Sequence, residues 1–153
     1  ETRILPAAGD APDGVGARLR RLRERTRERR HDGAREDDAP LVLVDCPAGA
    51  GPDATVPLRV ADRVLVVSTP CVAALRDAAK TAAMARAVGT PVVGAVLTRA
   101  RIAPPGAEEL LGCRVLGTVP PASASGAGEP LRDPTVSRAY DELAERLTDR
   151  PNT

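Results

Sequence analysis

Four apolar runs rich in β-branched residues punctuate this chain, at 41–44 (LVLV), 64–67 (VLVV), 92–97 (VVGAVL) and 115–119 (VLGTV). None alternates strictly between apolar and polar residues, so each fits a strand covered on both faces. Between the second and third runs lies an alanine-rich stretch, 72–88, in which Leu75, Ala79 and Ala82 recur at helical spacing. Parallel neighbours cannot be joined by a tight turn and need a crossover, usually a helix. The order of the runs therefore predicts an α/β fold, a mostly parallel sheet flanked by helices in three layers.

The same patterns set the expected elements. Strands are predicted at 2–5, 41–44, 63–68, 91–97 and 114–119. A first helix starts at Asp13, whose carboxylate can cap it, and carries an apolar stripe of Val15, Leu19 and Leu22. A short helix is expected at 53–60, with Pro57 preventing a longer one. The alanine-rich helix stops at Gly89, and a weaker one at 107–111 stops at Gly112. Asp133-Pro134 places an acid at a helix cap and proline at the first helical position. Val136, Tyr140, Leu143 and Leu147 then share a face, and Asp77 with Lys80 and Glu142 with Arg146 are spaced to pair. Residues 120–130, rich in Pro, Ala, Ser and Gly, read as a loop.

With 153 residues the chain suits one domain, taken as 1–149, followed by a frayed tail at 150–153. Net charge is +1, so the totals do not mark a nucleic-acid protein, and any basic surface must be local. Tyr140 is the sole aromatic residue, which argues against recognition by stacking on aromatic platforms. Cys46, Cys71 and Cys113 are odd in number and contain no CxxC pair, pointing to a reducing, cytoplasmic setting rather than a disulfide framework or zinc ribbon. No run approaches the roughly 20 apolar residues of a membrane helix. The first residue is Glu1 and not Met, which suggests a piece of a longer protein.

One helix is locally basic. Arg18, Arg20, Arg21, Arg23, Arg25, Arg27, Arg29 and Arg30 circle it, relieved by Glu24 and Glu28 and followed by Asp32, Glu36, Asp37 and Asp38. A solvated helix is the ordinary reading, and a contact to DNA phosphates or an acidic partner is the sharper one. His31 sits in this polar region without metal-site company.

The stretch Leu41-Val42-Leu43-Val44-Asp45-Cys46-Pro47-Ala48-Gly49 carries the chemistry. A buried strand that ends in an acid and a tight Pro-Ala-Gly loop brings a carboxylate to the carboxyl end of a sheet, where open α/β folds bind ligands. There Asp45 could hold Mg²⁺ through water, and Gly49, lacking a Cβ, lets its N–H approach a phosphate. The alternative for Asp45 is a plain strand-ending turn residue.

At these residues the chain resembles the MinD/ParA branch of P-loop ATPases, whose members carry an Asp-x-Pro-Ala-Gly segment after a strand. The register continues through Ala61-Asp62-Arg63, Thr69-Pro70, Arg76-Asp77-Ala78, Gly94-Ala95-Val96-Leu97 and Gly117-Thr118-Val119-Pro120. The resemblance implies a SIMIBI-type P-loop sandwich that binds ATP and Mg²⁺, dimerises around ATP, answers to an activating protein and serves positioning, chromosome partitioning or cell division. It implies Asp45 as the Mg²⁺-water acid and catalytic residue, and Pro47, Ala48 and Gly49 as the phosphate-sensing switch. It also implies Thr98 and Arg99 near the adenine, with Pro120, Pro121 and Ala122 along the base edge. Thr98 stands where relatives often carry Asn, and Cys71 where they commonly carry Glu. The Mrp-type iron–sulfur carriers of the same branch fit less well, since they show Pro-Pro-Gly and a CxxC pair.

One part of the family machinery is missing. Lys80 is the sole lysine and lies in a predicted helix, so the sequence contains no Gly-x-x-x-x-Gly-Lys phosphate loop. In the family that loop lies upstream of anything corresponding to Glu1. The expectation is a carboxy-terminal part of an ATPase that by itself binds ATP feebly; the alternative is a nucleotide-free interaction module that kept the fold.

Overall fold

A computed structural model describes residues 14–31, 42–47, 49, 51–123 and 129–148. The elements run α1 (Gly14–His31), α2 (Pro52–Val60), β1 (Val64–Ser68), α3 (Val72–Ala87), β2 (Val92–Thr98), α4 (Ala107–Leu111), β3 (Val115–Val119), a 3-10 turn (Pro130–Arg132) and α5 (Pro134–Thr148). The strands form one parallel sheet in the order β1-β2-β3.

Continuous apolar character becomes two-sided burial. On one face Val64, Val66, Ala95 and Leu97 pack against Leu58 of α2, Leu75, Ala78, Ala82 and Ala85 of α3, and Ala107 and Leu111 of α4. On the other, Val96 and Val119 meet Val136 and Leu143 of α5. The result is the expected three-layer arrangement. Leu97 and Leu111 are fully buried, each contributing about 1.5–3 kcal/mol of transfer free energy. The small side chains of α3 bring it close to the sheet, with Ala78 rather than Ala79 at the centre of its buried stripe.

Glycine sets two of the junctions. Gly89, at φ +81°, turns the chain out of α3, and the buried Thr90 hydroxyl then donates to the Leu58 carbonyl at the end of α2 (2.5 Å). Gly94, at φ +154°, lies inside β2, where an added Cβ would stand 2.6 Å from Leu116 Cγ and 2.9 Å from the Arg114 carbonyl. The β1–β2 register shifts between Val64 and Leu65, and β3 passes over Leu116 where β2 runs from Ala95 to Val96.

Two expectations need correction. The predicted strand at 41–44 is not part of the sheet: residues 42–47 carry no regular structure, and Val42, Leu43 and Val44 are exposed, Leu43 by 82%. A strand is a property of a pair, and among the described residues no neighbour offers this run a ladder. Leu41, like the predicted strand at 2–5 and the Asp13 cap, lies outside the described residues. On α5, Ala139 rather than Tyr140 packs with Val136, Leu143 and Leu147; Tyr140 is 41% exposed, and Arg146 donates to the Leu116 carbonyl.

Helix α1 rests on α2, with Gly16 so close that an added Cβ would lie 2.9 Å from Val56 Cγ1. Arg23 donates from Nε and Nη2 to Asp62 Oδ1 at 3.0 and 2.7 Å, while Arg20, Arg21 and Arg25 are exposed.

Candidate functional site

Because the strands are parallel, their carboxyl ends share one rim. Three segments leave it: Thr69 to Cys71 after β1, Arg99 to Ile102 after β2, and Pro120 to Ser123 after β3. Thr98, Arg99, Pro120, Pro121 and Ala122 are thereby gathered on the same side of the sheet.

Side-chain and backbone hydrogen bonds sew these segments together. Thr98 Oγ1 donates to the Ser68 carbonyl (3.2 Å), the Ala100 N–H to the Val119 carbonyl (3.0 Å), and Thr118 Oγ1 to the Arg101 carbonyl (3.3 Å). Held on both sides, Arg99 adopts φ +55°, left-handed for a residue with a Cβ, with its side chain exposed. Such conformations cost of order 1 kcal/mol and persist where the surroundings impose them, often at functional sites.

Asp133 completes the seam. Its Oδ2 accepts from the Ser123 N–H at 2.8 Å and the Ser123 hydroxyl at 2.9 Å, while Oδ1 accepts from the Thr135 N–H at 2.9 Å and from the Thr135 hydroxyl. These donors, the Thr135 hydroxyl foremost and the Ser123 N–H next, hold its carboxyl far below the usual carboxylate range. The sequence signalled the cap of α5 through Asp-Pro. The second oxygen, which reaches ten residues back to Ser123, has no local signature.

Asp45 and Pro47 are exposed on the irregular segment 42–47, and Gly49 is exposed at φ +127° with nothing within 4 Å of an added Cβ. Ala48 lies outside the described residues. The structure thus presents an open carboxylate and a left-handed glycine but does not tie them to the rim. Burial and the neighbouring Asp45 carboxylate both raise the Cys46 thiol.

Cys71, exposed, caps α3: its Sγ accepts from the Ala74 N–H at 3.5 Å and from the Thr69 hydroxyl at 3.8 Å, and these bonds, Ala74's first, lower its pKa. Cys113 is raised by burial. All three thiols are free.

A nucleotide and its metal find part of what they need in this set. The glycine backbone open at Gly49, the exposed Asp45 carboxylate and the rim cation Arg99 fit a phosphate, a metal-bound water and a base or phosphate edge, respectively. The grip on the phosphate chain is not among them, and Lys80 is paired with Asp77 at 2.9 Å on α3. Among the described residues no cluster of three His, Cys, Asp or Glu could hold a metal ion unaided, and no helix is long and apolar enough to cross a membrane. Two cavities, of about 290 and 270 Å³, are lined by residues that do not include Asp45; the first runs between β3 and α5, against Leu116, Thr118, Glu142 and Arg146.

No family model matches the chain. Among curated proteins it is similar to an uncharacterized ATP-binding protein of Methanocaldococcus jannaschii, 28% identical over 94% of this chain and 62% of that protein. Among solved structures it is similar to the cell division ATPase MinD of Pyrococcus furiosus, with 27% identity and a TM-score of 0.63 over 84% of this chain and 57% of that one. It also shares the fold of the septum site-determining protein MinD of Pyrococcus horikoshii, solved with Mg-ADP, at 22% identity and a TM-score of 0.62 over 93% of this chain and 61% of that one. The chain spans about three fifths of the length of these proteins. In fold and in sequence the chain is thus similar to ATP-binding proteins and MinD cell division ATPases.

Proposed function

We propose that this chain is the carboxy-terminal part of a MinD-like ATPase, one that binds ATP with Mg²⁺, dimerises around it and hydrolyses it under the control of a protein activator. The observation that carries the reading is the order Asp45-Cys46-Pro47-Ala48-Gly49 ahead of a parallel sheet whose rim gathers Thr98, Arg99 and Pro120 to Ala122. The relatives named as ATP-binding and as cell division ATPases support it.

In this reading the base lies along the rim, with Thr98, Arg99, Pro120, Pro121 and Ala122 at its edges. Asp45 accepts hydrogen bonds from water on the metal, and the Gly49 N–H donates toward the terminal phosphate. Mg²⁺, when bound, neutralises charge on the phosphates, and catalysis is mainly positioning. The cradle for the phosphates comes from a glycine-rich lysine loop outside this sequence. Support for such a segment comes from the sheet itself: β1 has no neighbour on its outer edge among the described residues, and Val67, on the face that α5 covers farther along, is 60% exposed. Parallel sheets are ordinarily covered on both faces. The exposed arginines of α1 are the surface offered to DNA phosphates, if the cycle runs on DNA as in chromosome partitioning, and the setting is the cytoplasm.

A second reading, a nucleotide-free interaction module, is favoured by the exposed apolar run Val42, Leu43 and Val44. The coding sequence ahead of Glu1 separates the two: a Gly-Lys loop supports the ATPase, a start codon the module. In the complete protein Asp45→Ala is expected to abolish Mg-dependent ATP hydrolysis while circular dichroism stays unchanged. Turnover at the parental rate would overturn the assignment of Asp45.

A further inference from the structure

The seam along the rim ends in a clasp that none of the matched motifs contains. Ser123 closes the segment Pro120 to Ser123, and the Asp133 carboxylate takes both its N–H and its hydroxyl on Oδ2 while the other oxygen holds the first turn of α5 through Thr135. One carboxylate therefore fixes the distance between the loop after β3 and a 15-residue helix packed on the sheet. At its other end the same loop is anchored through Val119, which is 4% exposed and whose carbonyl receives the Ala100 N–H. Pro120 and Pro121 lie between these anchors and restrict φ, so the loop has little freedom once both ends are tied.

We infer that Asp133 and Ser123 are positioning residues for nucleotide-base recognition: their clasp holds Pro120 to Ala122 at the height where the loop's backbone can line the edge of a purine. The inference rests on the reading of the rim as a nucleotide site. It assigns no contact between Asp133 and the ligand. A carboxylate satisfied by four donors is spent on the protein, and what it contributes is the placement of the backbone groups of the loop. Base selectivity read by backbone groups depends on such placement, because a displacement of about 1 Å already weakens a hydrogen bond severely.

Helix capping alone is separable from the clasp by substitution. Asp133→Ser keeps a good cap residue but has a single, shorter-reaching oxygen. Ser123→Ala removes one bond on the loop side. Thr135→Ala weakens the helix side and leaves Ser123 tied.

In the present chain, hydrogen exchange by NMR is expected to show the Ser123 amide opening at least tenfold faster in Asp133→Ser, with the amides of α5 unchanged. In the complete protein, Asp133→Ser and Ser123→Ala are expected to weaken ATP binding about tenfold and to reduce the preference for ATP over GTP by a similar factor, while Thr135→Ala moves neither. Unchanged exchange at Ser123 would overturn the clasp. Parental affinity and preference in Asp133→Ser would overturn its role in recognition. If the unsubstituted complete protein binds neither nucleotide, the reading of the rim itself falls and the inference with it, an outcome recognised by the silence of the parent.

Discussion

Arg99 and Cys71 show how rim residues trade local comfort for position. Arg99 is left-handed because Thr98 is tied toward β1 and Ala100 toward β3, and its exposed side chain gains nothing from packing. Arg99→Gly is therefore expected to stabilise the chain by about 0.5–1 kcal/mol in urea unfolding, since glycine adopts this φ without penalty. A loss of stability would mean that the guanidinium makes a contact worth more than the strain. Cys71 differs from the other thiols in both exposure and acidity. The Ala74 N–H and the Thr69 hydroxyl favour its thiolate, whereas burial disfavours the thiolates of Cys46 and Cys113. Because a lowered pKa leaves more thiolate at a given pH, Cys71 should be alkylated first by iodoacetamide near pH 7.5, its lead over the other two widening as pH falls below the ordinary thiol value of 9.0 and narrowing above it. Peptide mass spectrometry over time would read this, and faster labelling of Cys113 would contradict it.

Among the elements, β2 is the one on which the rest are aligned. It pairs on both sides, contributes Ala95, Val96 and Leu97 to the core, and accommodates Leu116 only because Gly94 has no side chain. Gly94→Ala puts a methyl group 2.6 Å from Leu116 Cγ at a φ unfavourable to alanine, and should cost about 2–4 kcal/mol in chemical denaturation. A cost below about 1 kcal/mol would show that β3 shifts freely. The strands at 64–68, 92–98 and 115–119 were legible in the sequence because their apolar runs are bounded by proline, glycine and charged residues and their partners lie close by in the chain. The run at 41–44 has the same composition, yet composition cannot supply a neighbouring strand, and Val42 to Val44 are exposed. Thr98, Arg99 and Pro120 to Ala122 were singled out by the family resemblance, and the parallel order of the strands puts them on one rim. The Asp133–Ser123 clasp was not legible, since it joins residues ten apart across a loop without periodicity.

At the scale of the whole molecule the sheet is unevenly finished. One face is closed by α2, α3 and α4; the other is covered by α5 against Val96 and Val119, and Val67 near the end of β1 is left open. Among the described residues β1 also has no neighbour on its outer edge, and the sequence holds Asp-Cys-Pro-Ala-Gly at 45–49 without a phosphate loop. Under the proposed function these features belong together: the rim would be a half-site whose phosphate grip lies on a further segment of the ATPase. Titration calorimetry with Mg-ATP tests this most directly, run on the present chain and on the complete protein side by side. No saturable heat is expected from the chain up to millimolar nucleotide, and micromolar binding from the complete protein; micromolar binding by the chain alone would contradict the half-site.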